Sequence, residues 1–177
     1  MRVAFSIGSS IRSSRSMLNQ HKRAIERLQE IFPDATFEIV FHHSPATEYL
    51  MTHSADIRLY RANRDLQSWA VNRGLTCVDV SGGSESIMKY YEGIDLHIGY
   101  RVHAHILMCS VSKPSILLVE DGRGKALASV IGGLTFITYS KIRDSVLFKI
   151  LNYRAKIVDN YKCDNSFLLD LAKGCKY

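Results

Sequence analysis

The chain of 177 residues is sparing in several residue types, and each shortage removes a class of protein. No apolar run approaches the roughly 20 residues that a membrane-crossing helix needs. The first residues, Met-Arg-Val-Ala-Phe-Ser-Ile-Gly-Ser-Ser, lack the charged-then-long-apolar build of a secretory leader and read as a first core strand. A cytoplasmic location is the default expectation. Cysteine occurs only four times, at Cys77, Cys109, Cys163 and Cys175, without the close pairs that zinc sites or redox motifs require. Cys77 and Cys109 lie in apolar segments, as buried free thiols do. No metal and no cofactor is expected. Basic residues never form a run of five or more, so the net charge of +6 does not amount to a nucleic-acid footprint. It suits anionic partners in general, from phosphorylated small molecules to acidic glycans, membrane surfaces and nucleic acid, and does not choose among them.

What is present is a rhythm. Hydrophobic residues at 46% and charged residues at 23% are ordinary for a globular domain. Short β-branched segments alternate with helical ones, the pattern of parallel α/β folds. Strands are expected at Arg2–Ile7, Thr36–Phe41, Leu75–Val80, Leu96–Gly99, Ser115–Val119 and Leu134–Thr138. Between them, an apolar stripe at helical spacing marks Met17–Phe32, which Pro33 stops. Further helices are expected from about Glu48 to Arg73 with a break near His53, and over Ser84–Glu92, Val102–Ser112 and Lys125–Ile131. The spacing predicts a Rossmann-like, doubly wound parallel sheet of about six strands in the order 3-2-1-4-5-6, occupying residues 1–140. Residues 141–177 lose the strand rhythm and read as a helical extension packing on that domain.

In such sheets a ligand binds beyond the carboxyl ends of the strands, where the strand order reverses. Here that crevice falls between strands one and four, and brings Gly8-Ser9-Ser10 toward Gly99-Tyr100-Arg101-Val102-His103. Arg101 at the mouth of a helix offers a planar fork for phosphate or carboxylate, and His103 in the first turn can move a proton near neutral pH. The unpaired amides and dipole of the helix N-terminus add to the pull on an anion. The Ser/Arg-rich loop after strand one, with Ser9, Ser10 and Arg12, is equally suited to wrap an anion or to stand in solvent as an ordinary loop, Ser16 or a neighbour capping the helix. It lacks the spacing of a dinucleotide fingerprint.

Several other groups read as structural. His97 lies inside strand four. His42-His43 closes strand two without a metal partner set, as do the scattered His21 and His53. Trp69 and Tyr90-Tyr91 read as packing residues, and Ser81-Gly82-Gly83-Ser84 as a tight turn. His105 shares a helical face with Arg101 and could orient it.

The segment Asp95-Leu-His-Ile-Gly-Tyr-Arg101-Val-His103-Ala104, followed by an apolar helix and Lys113-Pro114-Ser-Ile-Leu, resembles the signature of polysaccharide pyruvyl transferases. The likeness is strongest over residues 95–131 and extends over 1 to about 138. It implies the C-terminal, Rossmann-like half of a GT-B-like fold. It also implies transfer of a pyruvyl group from phosphoenolpyruvate to a sugar of an exopolysaccharide or cell-wall glycan. On that resemblance Arg101 binds the donor's phosphate or carboxylate, and His103 is the general acid at the methylene carbon or a donor-binding group. Gly8, Ser9, Ser10, Arg12, Tyr100, Glu120, Asp121 and Lys125 are the accompanying candidates for substrate binding. The spacing Asp121-Gly-Arg-Gly-Lys125 is wider than that family's. Its chains are about twice as long, so a first half would come from a missing N-terminal domain or a partner chain. Two alternatives stay open. One is the nucleotide-sugar-binding half of a GT-B glycosyltransferase, with Glu120 or Asp121 holding a ribose. The other is a non-catalytic binding module.

Overall fold

A computed structural model describes residues 1–52, 56–128, 130–131 and 134–137. The expected helices of 141–177 and the candidate break at His53 lie outside the described residues. The chain is an α/β domain built on a parallel sheet. Its strands are β1 (Arg2–Ser6), β2 (Thr36–Phe41), β3 (Thr76–Asp79), β4 (Leu96–Gly99) and β5 (Ser115–Val119). They lie in the order 3-2-1-4-5, as expected. Val3 stands opposite Phe37 on one side and Leu96 on the other, which fixes β1 as the central strand. The segment Leu134–Ile137 (β6) runs parallel to β5, with Ile116 opposite Leu134.

Alternation along the strands divides the core into two layers. Val3, Phe5, Ile39, Leu96, Ile98 and Leu118 face one side, where they pack on α1 (Arg15–Ile31) and α3 (Ile57–Val71). α1 contributes Leu18, Ala24, Ile25, Leu28 and Ile31 from a single stripe. Its cap is Ser14, whose Oγ accepts from Met17 N at 3.2 Å, so Ser16 does not serve. The other side carries Ala4 and Val40 against α4 (Ser84–Glu92) and α5 (Val102–Ser110), with Tyr91, Ala104 and Met108 inserted between. Between β2 and α3 lies a short helix α2 (Thr47–Thr52).

Some boundaries depart from the sequence reading, each for a local reason. α5 stops at Ser110 because Ser112 takes a left-handed backbone, φ 56°. The last helix among the described residues, α6 (Gly122–Ala128), begins three residues before the expected Lys125. Asp121 makes this possible: its Oδ1 accepts from the amides of Arg123 at 3.0 Å and Gly124 at 3.3 Å, capping a turn that two glycines disfavour. No helix among the described residues is long and apolar enough to cross a membrane.

Candidate functional site

The crevice is assembled where β1 and β4 end side by side. Gly99 allows their close approach, because a Cβ there would meet Ser6 Oγ at 2.3 Å and Ser6 O at 2.5 Å. The chain beyond it is tied back to β1: Tyr100 N donates to Ser6 O and Arg101 N to Ser6 Oγ, both at 3.1 Å. Arg101 is thereby held at the N-cap of α5 in extended backbone.

Its guanidinium enters a cavity of about 400 Å³. Ser9 and Arg12 border this cavity from the 3-10 turn Ser9–Arg12, His43 and Ser44 from the loop after β2, and Tyr49 from α2. Tyr60 and Asn63 come from α3, and Arg123 from α6. Three guanidiniums therefore share one space, on unequal terms. Arg12 is bound to Asp56 at 2.6 Å and Arg123 to Asp121 at 2.6 Å. Arg101 forms no ion pair among the described residues, and its Nε is buried without a hydrogen-bond partner. Burial pushes its pKa down, against the attraction of Glu120. A buried cation without a counter-ion costs several kcal/mol, and an anionic ligand would supply what is missing. Asn63 has a vacancy of the opposite kind, one that calls for a donor. Its Nδ2 donates to His43 O at 2.8 Å, while its Oδ1 is buried and unpartnered.

The loop after β1 behaves differently from the anion-wrapping expectation. Ser9 N and Ser9 Oγ both donate to Glu120 Oε1 at 2.9 Å, and Ser10 N to Glu120 Oε2 at 2.9 Å. The donors read as a substrate cradle already hold a carboxylate of the same chain. Burial raises the Glu120 pKa, yet the hydrogen bonds from Ser10 and Ser9 outweigh it and leave the group below its ordinary value. Gly8 serves this clasp, since a Cβ there would meet Glu120 Oε2 at 2.4 Å and Tyr100 Cγ at 2.8 Å.

Other candidates are placed apart from the cavity. Tyr100 is a core residue: its ring lies edge-on to Phe5 at 6.3 Å and stacked on His21 at 4.9 Å. Asp121 is engaged as the α6 cap and by Arg123. Lys125 is exposed on α6. His103 is exposed in the first turn of α5. His105 is buried, with Nδ1 at 2.7 Å from Ser115 Oγ, so its ring is engaged beneath α5. Among the described residues, no group of three His, Cys, Asp or Glu side chains could hold a metal ion.

His43, Ser44, Tyr49, Tyr60, Asn63 and Arg123 were not singled out by sequence as ligand contacts. Asn63 did carry a signal, because it interrupts the buried stripe Leu59, Leu66, Ala70 of α3. His43 carried another, because it closes a strand next to the switch point. No protein-family model matches the chain, and no curated protein matches it in sequence.

Proposed function

We propose that the crevice binds the anionic donor of a group transfer, and that the chain is the donor-binding domain of a polysaccharide pyruvyl transferase-like enzyme. The observation that carries this reading is the Arg101 guanidinium at the switch point, its Nε buried and unpartnered and no carboxylate paired to it among the described residues. Phosphoenolpyruvate has a phosphate and a carboxylate to offer such a fork. Arg101 neutralises one of these groups, while Arg12 and Arg123 line the same space already paired to Asp56 and Asp121.

The resemblance assigns the proton given to the methylene carbon to His103, which stands in the first turn of α5 outside the lining of the cavity. A sugar hydroxyl then adds to the adjacent carbon and loses its proton. A second hydroxyl of the same sugar then displaces phosphate from that carbon, its proton leaving with the phosphate, and the ketal closes. In this reading the sheet is a six-stranded Rossmann-like one, order 3-2-1-4-5-6, in a domain of residues 1–140 with 141–177 as a helical extension. The domain works in the cytoplasm, and the acceptor sugar is presented by an N-terminal half or a partner chain. The nucleotide-sugar alternative needed Glu120 or Asp121 for a ribose, and both carboxylates are engaged within the chain.

The test is calorimetric titration of the whole chain with phosphoenolpyruvate, in wild type and Arg101→Ala. Loss of a charge-assisted contact should weaken binding at least about tenfold. The fold should remain intact, because the variant removes an uncompensated buried charge. Equal affinity in the two proteins would sink the reading.

A further inference from the structure

The cavity that receives Arg101 is lined, among the described residues, by a single imidazole, that of His43. His103, the imidazole that the resemblance favours, lies outside that lining. Residue pattern alone reads His43 as structural, and its setting argues otherwise. It follows the end of β2 and is tied down in more than one place. Asn63 Nδ2 donates to its carbonyl oxygen at 2.8 Å, and its Nδ1 lies 3.3 Å from Tyr49 Oη of α2. The next residue is held as well, since Ser44 Oγ donates to Asp79 Oδ2 and accepts from Ala46 N at 3.0 Å. A carbonyl oxygen can only accept, so the bond from Asn63 fixes which way that amide faces. It also explains why an asparagine interrupts the apolar stripe of α3: it anchors the loop that carries His43.

The charges around this imidazole are unequal. His43 shares the cavity with Arg12 from the 3-10 turn, Tyr49 from α2, Asp56 and Tyr60 from the start of α3, Arg101 from α5 and Arg123 from α6. His42 adjoins it along the chain. Burial first, then the charges of Arg101 and Arg12, hold the His43 pKa below its ordinary 6.5. Arg12 is answered by Asp56 and Arg123 by Asp121. Arg101 is therefore the cation left to oppose a proton on His43. An anion lodged beside Arg101 cancels that opposition and adds an attraction of its own. The imidazole then takes up a proton from the surrounding buffer.

We propose that His43 is a ligand contact and the acid–base residue of the crevice, neutral in the free chain and protonated once an anion binds at Arg101. The proposal rests on the anion-binding reading and refines it, because the proton for the methylene carbon then comes from His43 and not from His103. The imidazolium gives its proton to that carbon, and the π electrons of the enol form the new C–H bond. A sugar hydroxyl adds to the adjacent carbon, and the proton it loses returns to His43. The residue ends the addition as it began. Asn63 is its positioning residue.

The experiment follows the imidazole C–H resonances of the full chain against pH, with and without phosphoenolpyruvate. The His43 signal is assigned by its absence from His43→Gln. If that variant does not fold, Tyr49→Phe, which removes the Nδ1 partner, assigns the signal by displacing it. In the free chain His43 should titrate below 6.5. With ligand bound its midpoint should rise by about one pH unit, as an opposite charge at close range produces. By reciprocity, the affinity ratio of wild type to His43→Gln should grow about tenfold as pH falls through that interval. The ligand's own ionisation cancels in the ratio. Asn63→Ala should release the loop and bring the free-chain midpoint back toward 6.5; an unmoved midpoint removes Asn63 from its role. Phosphoenolpyruvate that binds through Arg101 without moving the His43 midpoint overturns the proposal and leaves the anion reading standing. If it does not bind, or binds equally well in Arg101→Ala, the anion reading and the role of His43 fall together.

Discussion

The two faces of the sheet are packed on different principles. Toward α1 and α3, β1, β2, β4 and β5 send only apolar side chains, among them Val3, Phe5, Phe37, Leu96 and Ile116. Toward α4 and α5, the same strands send Ser6, Glu38, His97 and Ser115 between Ala4 and Val40. The first face draws its stability from area removed from water, at about 25 cal/mol per Å². The second buries polar groups whose interactions succeed only when every partner is present. Glu38 follows that rule, bound by Arg2 Nε at 2.9 Å and Tyr90 Oη at 2.8 Å. The difference teaches where specificity resides: one face supplies cohesion, and the other holds the ends of β1 and β4 in a single arrangement.

Substitutions can separate these principles. The largest effect is expected for Phe5→Ala on the apolar face, which should cost about 3–5 kcal/mol in urea unfolding through lost burial and a cavity. On the polar face, His97→Leu should cost less, about 1–3 kcal/mol, because bonds at both of its nitrogens, to Ser6 Oγ and Ser115 Oγ, are lost. Adding Ser115→Ala to it should cost less than the sum of the single variants, the sign of a shared network. A strictly additive result would erase the contrast between the faces. Glu120→Gln should cost about 1–2 kcal/mol at neutral pH, since the Ser9 and Ser10 donors lose an ionised acceptor. The folded-state pKa of Glu120 lies below its ordinary 4.5. Its contribution is therefore fully present above that value and is lost as pH falls through the folded pKa. Unfolding curves of wild type and Glu120→Gln should converge on acidification. The smallest effect is expected at the outer edge of the apolar face, where Lys22 Nζ sits 5.6 Å from the Trp69 ring. Lys22→Ala should shift thermal unfolding by the equivalent of about 0.5 kcal/mol.

Much of the architecture was legible in the sequence because it depends on periodicity. The boundaries of β2, α4, β4 and β5 coincide with those read from residue patterns, since turn residues flank each one. The switch point followed from the strand order, and it led to Arg101. The cavity around Arg101 was harder to read. Its wall includes α3, which lies distant in sequence, and Asn63 is revealed only by its place in an apolar stripe. Tyr100 illustrates the opposite error. It stands next to Arg101 in sequence, yet adjacent residues leaving a strand point in opposite directions, and its ring turns into the core. The sequence left Ser9 and Ser10 equally suited to wrap an anion or to stand in solvent. What sequence could not reveal is that Glu120, more than 100 residues away, is the anion they hold.

Under the donor-binding function proposed above, that internal clasp also acts as a filter on entry. A phosphate seeking the amides after the first strand meets a carboxylate in residence and is turned away by like charge. On that reading an arriving molecule is sorted by orientation before it meets Arg101, and reversing the sign at position 120 should let it enter the other way round.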